Sequence, residues 1–454
     1  MLNKTIAAIS TARGKGGVAI IRISGTDALE IAKRVLPVSR DIEPRRCYYG
    51  NIYRDGEIID DGILTYFKAP HSFTGEDVCE IACHGGIYVT QAVLESVLSC
   101  GASLAEAGEF TRRAYINGRL TLSRAEAIGN VIDAKTDAQL RLSSSQARGN
   151  LSNKLSAIRE RMISLISKAY ACVDYPDEDI EITTREEMAA ALSIIYDELI
   201  ALKNSYHAGR AISEGIKTAI IGKPNAGKSS LYNLLLGENV AIVTDIAGTT
   251  RDVIEHTASV GGVTLNLADT AGIRSTLDTV EKIGVERAKE KIQSSELLLC
   301  VFDYSEGETN EDHFILECAM NKCSVAIINK TDTPRGISAD FEEKIKSACT
   351  NVIYASAKNG EGINELSSVL KEMYSLGKID ISNDAVISNA RQNASVTRAT
   401  EEVLCAKEAL DWGQTPDIVL FALEKALGEL DMIDARGAGE EIVNAIFSRF
   451  CVGK

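Results

Sequence analysis

Residues 217–236 read KTAIIGKPNAGKSSLYNLLL: an apolar run, a glycine-rich loop and a second apolar run in direct succession. The first run has the composition of a buried strand, and the last has the apolar spacing of a helix. Residues 222–229 match the phosphate-binding loop pattern in the context it requires. The glycines let backbone N–H groups wrap phosphates, and the helix N-terminus adds its positive dipole end. We expect Lys228 to meet the β- and γ-phosphates and Ser229 to ligate Mg²⁺.

Four further segments follow in the order that a guanine-nucleotide-binding domain requires. Residues 248–252 (GTTRD) offer Thr250 for Mg²⁺, and residues 269–272 (DTAG) offer a carboxylate near that ion and a glycine N–H for the γ-phosphate. Residues 329–332 (NKTD) supply an Asp carboxylate that can accept the N1–H and 2-amino N–H of guanine, which adenine lacks. Residues 356–358 (SAK) follow a predicted strand and can close over the base. Five ordered segments predict GTP binding and hydrolysis.

Two positions in this region depart from the Ras-like pattern. Ile273 stands where Ras-like enzymes place a water-orienting Gln, and an isoleucine cannot orient water. Glu281 is the candidate for that role, although its spacing also fits a solvated helix carboxylate. Asn225 has two interpretations. It either suits a tight turn, or its carbonyl holds a monovalent cation near the phosphates.

The rest of the chain has two other kinds of pattern. Before residue 118, strand-like runs at 18–23, 62–67 and 78–83 alternate with helical ones at 27–36 and 88–99, which indicates an α+β module. Apolar residues then recur every three to four positions both before and after the nucleotide segment, so we expect one helical domain with a doubly wound, Ras-like α/β domain inserted into it. The predicted domains are α+β at 1–118, helical at 119–214, GTPase at 215–375 and helical with a C-terminal Cys motif at 376–454.

Composition sets limits on the function. The net charge of −15 argues against a protein that coats nucleic acid non-specifically. Basic residues are nevertheless in local excess at 1–50 and 111–149, as a solvated face or as a surface for an anion or RNA. Eleven cysteines without regular spacing, with no signal-peptide pattern and no apolar run of membrane-span length, favour a reduced, cytoplasmic protein without membrane insertion.

The whole chain resembles the tRNA modification GTPase MnmE (TrmE) family. The motifs that carry the resemblance, besides those of the nucleotide segment, are GGV at 16–18, RISG at 22–25, TGED at 74–77, HGG at 84–86, GEFTRRA at 108–114, DYP at 174–176 and FCVGK at 450–454. Three departures are Ala107, where the family usually has Pro, Val452, where it often has Ile, and Arg119, where a Lys is common. Arg119 keeps the charge but changes the geometry of its hydrogen bonds.

The resemblance implies more than the motif spacing does. Members are homodimers through the N-terminal domain, which binds a tetrahydrofolate derivative in its 5-formyl or methylene form. They act with an MnmG (GidA)-type flavoprotein to place a carboxymethylaminomethyl-type group on C5 of the wobble uridine of certain tRNAs. Their GTPase domains dimerise across the nucleotides when K⁺ is bound.

The residues that the resemblance adds complete the predicted sites. The folate contacts map onto Arg22, Glu80, Arg119 and Lys454. The catalytic residues map onto Glu281 and Cys451. The Mg²⁺ ligands are Ser229 and Thr250, and the K⁺ ligands are Asn225, Thr244, Ile246 and Thr249. The predicted GTP-binding residues are Asn225, Ala226, Gly227, Lys228, Ser229, Ser230, Thr244, Asp245, Ile246, Ala247, Gly248, Thr249, Thr250, Asp269, Thr270, Ala271, Gly272, Asn329, Lys330, Asp332, Ser356, Ala357 and Lys358.

Two alternatives remain open at this point. Cys79, Cys83 and His84 could be metal ligands, but two buried structural cysteines are several times more frequent than a ligand pair on one strand face. The alternative function is a GTPase switch in ribosome assembly without modification chemistry. The N-terminal module and the Cys451 tail favour the tRNA-modifying function over this alternative.

Overall fold

The computed structural model describes residues 4–174, 184–237, 255–268, 292–434, 446–448, 450 and 453. The chain divides into two compact units, residues 1–129 with 431–454 and residues 130–430. Each unit contains one six-stranded sheet. The two sheets differ in strand direction and in where their polar residues lie.

The first unit is built on a largely antiparallel sheet. Its strands are β1 (Ile6–Ile9), β2 (Val18–Ser24), β3 (Cys47–Arg54), β4 (Glu57–Phe67), β5 (Val78–His84) and β6 (Ser103–Leu104). Their order across the sheet is β3-β4-β5-β2-β1-β6, and only β1 and β6 pair parallel. The strands predicted at 18–23, 62–67 and 78–83 are confirmed as parts of β2, β4 and β5.

Helices cover one face of this sheet. They are α1 (Ala28–Val35) and α2 (Ile87–Ser99). The chain continues through β6 into α3 (Glu109–Ile116) and α4 (Leu122–Asp133), and Phe110 of α3 packs with Ile6 and Ala8 on the other face of the sheet. Ile21, Ile23 and Ile81 point to the covered face and are buried together with Val35 of α1 and Val93 of α2. Because side chains alternate along a strand, residues 22, 24, 78, 80 and 82 lie on the opposite face. That face carries Arg22, Ser24 and Glu80.

The second unit combines helices with a mostly parallel sheet. Its helices are α5 (Asp137–Arg148), α6 (Asn150–Asp174), α7 (Arg185–Ser213), α8 (Lys228–Gly237), α9 (Asn310–Met320), α10 (Ala339–Ala348), α11 (Ile363–Met373), α12 (Ala390–Asp411) and α13 (Pro416–Ile433). Its strands are β7 (Ile216–Gly222), β8 (Glu255–Val260), β9 (Val263–Ala268), β10 (Leu297–Asp303), β11 (Ser324–Asn329) and β12 (Asn351–Tyr354). The order is β12-β11-β10-β7-β9-β8, and every pair is parallel except β8 with β9.

Helices pack on both faces of this second sheet. Leu231 of α8 and Leu366 of α11 belong to the buried cluster on one face. Ile315 of α9 and Phe341 of α10 belong to the cluster on the other face. The predicted doubly wound α/β fold is therefore confirmed. In such a fold the loops at the carboxyl ends of the parallel strands meet at one edge of the sheet.

The helical stretches before and after the nucleotide segment pack together. The backbone N–H of Ile387 donates to the Ser205 hydroxyl at 3.0 Å, and Gln146 Nε2 donates to the Val386 carbonyl at 2.9 Å. A Cβ at Gly209 would lie 2.0 Å from the Ile387 carbonyl oxygen, so only glycine allows this approach of α7. These contacts confirm that the α/β segment is inserted into a helical domain. The four predicted domain boundaries stay a prediction.

Candidate nucleotide-binding site

The phosphate loop connects β7 to α8 in a conformation that two of its residues make possible. Asn225 and Gly227 have φ angles of 60° and 99°. Asn tolerates this left-handed region better than most residues, and glycine does so freely. A Cβ at Gly227 would lie 2.0 Å from Asn329 Nδ2, so any side chain there would break the loop's contact with the 329–332 segment.

Lys228 lies across the phosphate loop. Its ammonium donates to the carbonyls of Gly222 and Lys223, both at 2.7 Å. Burial lowers the pKa of Lys228 from the ordinary lysine value. Ser229 and Ser230 lie in the first turn of α8, where the helix dipole favours a bound anion. The loop thus places one cationic and two hydroxyl side chains at a helix N-terminus.

Asn329 joins three of the predicted segments. This buried side chain donates from Nδ2 to the Ala226 carbonyl at 2.8 Å and accepts at Oδ1 from the Ala357 N–H at 2.9 Å. Losing either partner would leave a buried amide group unsatisfied, which costs about 1–3 kcal/mol. A single residue therefore fastens the phosphate loop to both loops predicted to hold the base.

The guanine-reading segments are also in contact with each other. The Ser356 hydroxyl donates to Asp332 Oδ1 at 2.8 Å, and the Thr331 N–H donates to the Ala355 carbonyl at 3.2 Å. Asp332 and Lys358 are exposed, whereas Ser356 is buried. The carboxylate is thus fixed in direction by a buried hydroxyl while it stays accessible to a ligand.

Two acidic residues of this region were missed by the motif pattern. Asp303 ends the fully buried strand β10, and its Oδ2 lies 2.5 Å from Lys330 Nζ. Asp312, in the first turn of α9, lies 3.3 Å from the buried Lys223 of the phosphate loop. An acidic residue at the end of an apolar strand was the available signal for Asp303, because parallel strands bring such ends together.

Several predicted residues lie outside the described part of the chain. They are Thr244, Asp245, Ile246, Ala247, Gly248, Thr249, Thr250, Asp269, Thr270, Ala271, Gly272, Glu281, Cys451 and Lys454. Their roles stay predictions, as do the Mg²⁺ and K⁺ ligand sets that include them.

The predicted folate residues Arg22 and Glu80 form an ion pair on the face of the first sheet that α1 and α2 do not cover, which carries residues 22, 24, 78, 80 and 82 and which we call the open face. They are register partners on β2 and β5, with Nε–Oε1 and Nη2–Oε1 distances of 2.9 and 2.8 Å. The guanidinium also lies 5.4 Å from the Phe73 ring centroid and 5.8 Å from that of Phe110. The pair is therefore flanked by aromatic surface and half-buried.

A chain of contacts links the strand that carries Arg22 to the segment that carries Arg119. The Ser24 hydroxyl, two residues after Arg22 on the same face, is 2.7 Å from the Thr74 hydroxyl. Asn117 donates to the Thr74 carbonyl at 2.7 Å, and a Cβ at Gly75 would lie 3.2 Å from Arg119 Cγ. Arg119 itself is exposed.

Gly453, the residue before Lys454, contacts the end of β1. Ser10 donates from its hydroxyl to the Gly453 carbonyl at 3.0 Å. Gly453 has a φ of 99°, and a Cβ there would lie 2.2 Å from the Ile9 carbonyl oxygen. Since Ala8, one residue earlier, is the register partner of Arg22, this contact lies one residue along the sheet from the predicted folate residues.

The interpretation of Cys79 and Cys83 as structural residues is supported. Both are buried in the helix-covered core of the first sheet, and burial raises the pKa of Cys79 to about 12 and that of Cys83 to about 11. His84 points to the other face and lies 2.7 Å from Asp60. The cysteines and the histidine are thus on opposite faces of β5. Within the described ranges, no helix combines the length and apolarity needed to cross a membrane.

Comparison with known proteins gives matches along the whole chain. A family described as "GTP-binding protein TrmE N-terminus" matches residues 5–119, and one described as "MnmE helical domain" matches residues 122–451. A curated tRNA modification GTPase MnmE from Carboxydothermus hydrogenoformans is 42% identical over 462 residues, and one from Clostridioides difficile is 41% identical over 460. One from Thermoanaerobacter pseudethanolicus is 40% identical over 463 residues. Each alignment covers 100% of both chains.

Proposed function

The chain belongs to the MnmE (TrmE) family of tRNA modification GTPases, and from this premise we propose that it helps to build a carboxymethylaminomethyl-type group on C5 of the wobble uridine of certain tRNAs. As a family member it is a GTP hydrolase that acts in tRNA modification. The proposed partners are a second copy of this chain, an MnmG (GidA)-type flavoprotein and tRNA, in the cytoplasm.

GTP is proposed to bind where Asn329 fastens the loops together. The amides of residues 225–230 would surround the phosphates, and Lys228 would turn from the loop carbonyls to the β- and γ-phosphates. Asp332, directed by Ser356, would accept both N–H groups of guanine. The observation that carries this proposal is the double hydrogen bond of Asn329, because it brings the phosphate loop and the base loops to one edge of the sheet.

The hydrolytic step is proposed to rely on cations and one carboxylate. Mg²⁺ and K⁺ prefer oxygen ligands. The Ser229 hydroxyl can supply one to Mg²⁺, and the side-chain carbonyl of Asn225, which lies in a left-handed turn, can supply one to K⁺. Thr250 would complete the Mg²⁺ site, and the K⁺ site would add Thr244, Ile246 and Thr249. When bound, the cations supply positive charge that stabilises the charge developing on the phosphates. Glu281 would orient the attacking water, directly or through a second water.

The one-carbon donor is proposed to bind the open face of the first sheet as a tetrahydrofolate derivative. A carboxylate such as Glu80 can read the amide and amine of a pterin, while a cationic residue, Arg119 or Lys454, can meet the glutamate tail. The existing ion pair between Arg22 and Glu80 holds both groups in place before a ligand arrives. Cys451 is proposed to take part in the modification step.

The deciding experiment is nucleoside analysis of tRNA from cells that lack this protein. We expect the carboxymethylaminomethyl-type wobble uridine to be lost, and to return with the wild-type chain but not with the Asp332→Asn variant. A pull-down from extract should recover a flavoprotein and tRNA with the chain. Unchanged wobble uridine in the deletion strain would contradict the proposal and favour a GTPase switch in ribosome assembly.

A further inference from the structure

One short segment contacts both halves of the candidate nucleotide site. It runs from Asp303, the last residue of β10, to Asp312 in the first turn of α9, and we call it the brace segment. Each of these two carboxylates is buried and holds one lysine from a nucleotide loop. Buried carboxylates are rarely found without a partner, so both lysine contacts have structural weight.

Asp303 holds Lys330 of the guanine-reading segment. The Asp303 side chain is 1% exposed, and its Oδ2 lies 2.5 Å from Lys330 Nζ. Its Oδ1 accepts from the N–H and the hydroxyl of Ser305 at 2.8 and 2.6 Å. Burial acts to raise the pKa of Asp303, but the hydrogen bonds from Lys330 and Ser305 outweigh it, so the pKa is lowered. The carboxylate is thus held in its ionised form.

Lys330 is held in a backbone conformation that few residues adopt. Its φ is 70°, in the left-handed region, which for such a residue persists only where surrounding contacts enforce it. Thr333 donates to the Lys330 carbonyl from both its N–H, at 3.0 Å, and its hydroxyl, at 2.6 Å. The Tyr304 N–H of the brace segment donates to the Asn329 carbonyl at 2.9 Å. Asp332, the proposed guanine acceptor, lies two residues further along this restrained segment.

Asp312 holds Lys223 of the phosphate loop in the same manner. The Lys223 side chain is 5% exposed, and its ammonium lies 3.3 Å from Asp312 and 3.3 Å from Glu306, and donates to the Gly307 carbonyl at 3.2 Å. Asp312 Oδ2 also accepts from the N–H and hydroxyl of Thr309, at 3.0 and 2.8 Å, as part of a capping box. The lysine therefore ties the phosphate loop to the start of α9.

We propose that Asp303 and Asp312 are positioning residues for the GTPase, with Asp303 setting base recognition through Lys330 and Asp312 setting the phosphate loop through Lys223. The inference rests on the proposed nucleotide site. It adds that two lysine–carboxylate pairs hold the phosphate loop and the guanine-reading segment in fixed positions relative to each other. Each carboxylate is buried and contacts one lysine of a nucleotide loop, so each carboxylate acts on the site through its lysine.

The Asp303 arm is tested with a double-mutant cycle on the full chain, measured as binding of fluorescent GTP. We expect Asp303→Asn to weaken GTP at least about tenfold and to lower the preference for GTP over inosine triphosphate, which lacks only the 2-amino group. Asp303→Asn combined with Lys330→Met should be no weaker than Lys330→Met alone. Additive losses, or an unchanged preference, would overturn this assignment.

The Asp312 arm has a different expected signature. Asp312→Asn keeps an acceptor for the Thr309 cap but loses the buried charge beside Lys223, which then keeps only the exposed Glu306 as a charged partner. We expect it to weaken GTP and inosine triphosphate by the same factor, about five- to tenfold, and Lys223→Met should abolish any further effect. A changed preference between the two nucleotides, or affinities equal to wild type, would contradict the role of Asp312.

Controls separate this inference from the proposed function. Asp340→Asn makes the same substitution at an exposed position of α10 and should bind like wild type. Thermal melts show whether each variant is folded, and if Asp312→Asn is not, Lys223→Met alone should weaken GTP and inosine triphosphate by the same factor. Wild-type protein that fails to bind GTP sinks the proposed site. If the wild-type protein binds GTP and Asp303→Asn binds it equally well, the positioning role of Asp303 is overturned while the proposed site stands.

Discussion

The two six-stranded sheets place their candidate sites in different ways. In the second unit the site lies at the carboxyl ends of parallel strands, where β7, β10 and β11 deliver loops to one edge. In the first unit the candidate residues Arg22 and Glu80 stand in the middle of two antiparallel strands and meet across them. The nucleotide site of the second unit is built from backbone amides and loop residues, whereas the candidate site of the first unit is built from side chains on a sheet face.

This difference affects what each site tolerates. The nucleotide loops are fastened by single buried groups such as Asn329, so one substitution disturbs several segments at once. The ion pair on the open face is joined to its surroundings by an aromatic flank and a rigid sheet, so a substitution there should stay local. The following predictions test whether the two sites behave so differently.

The largest effect is expected from Asp332→Asn. The amide cannot accept both N–H groups of guanine, so GTP affinity should fall at least about a hundredfold. Xanthosine triphosphate, which carries a carbonyl at the 2-position, should instead gain affinity from the new amide donor. Competitive titration with labelled nucleotides measures both values. Tight GTP binding by the variant would remove Asp332 from the guanine site.

The next effect separates GTP binding from GTP turnover. Glu281→Ala should bind GTP within about twofold of wild type and lower kcat about a hundredfold, because a group that orients water contributes mainly to the transition state. Single-turnover hydrolysis measures the rate. Glu281→Gln is the matched variant, since it keeps a polar group of the same size. A rate equal to wild type would assign water orientation to another residue.

A monovalent cation should matter to the nucleotide site and not to the open sheet face. Replacing K⁺ by Na⁺ should slow GTP hydrolysis about tenfold, because Asn225 offers an oxygen ligand and Ile273 offers no polar substitute for the missing Gln. Binding of 5-formyltetrahydrofolate should be the same in both salts. Equal hydrolysis rates at equal ionic strength would favour the simple turn interpretation of Asn225.

The local character of the open-face site is tested by Arg22→Met. The change leaves Glu80 without its partner and should weaken 5-formyltetrahydrofolate about tenfold, measured by calorimetry, with GTP turnover unaltered. Arg34→Met, at an exposed position of α1, is the control and should change neither. Loss of GTP turnover in Arg22→Met would show that the two sites are not as independent as their construction indicates.

The smallest effect is expected at the contact between Gly453 and β1. Gly453→Ala would place a methyl group 2.2 Å from the Ile9 carbonyl oxygen at a φ that disfavours alanine, so the melting temperature should fall by about 2–4 °C. Gly17→Ala, where nothing lies within 4 Å of the added Cβ, is the matched control in the same unit. Equal melting temperatures would show that the contact adds no stability.

The sequence by itself predicted the loops that meet in the described part of the candidate nucleotide site. The phosphate loop lies between one strand and the start of one helix, so its geometry follows from a few consecutive residues. For this reason the motif spacing alone was enough to propose roles for Asn225, Lys228 and Asp332. The same locality explains why Asp303 was missed: it belongs to no contiguous motif, and its partner Lys330 is 27 residues away.

Only the tertiary structure decided which distant residues meet. Arg22 and Glu80 are 58 residues apart, and their pairing depends on the register of β2 with β5, since a slip of one residue would turn one of them to the other face. The hold of Asp312 on Lys223 likewise depends on where α9 packs against the second sheet. Local spacing is set by the covalent chain, whereas register and helix packing are set by burial of apolar surface across the whole unit, and no short stretch of sequence contains that information.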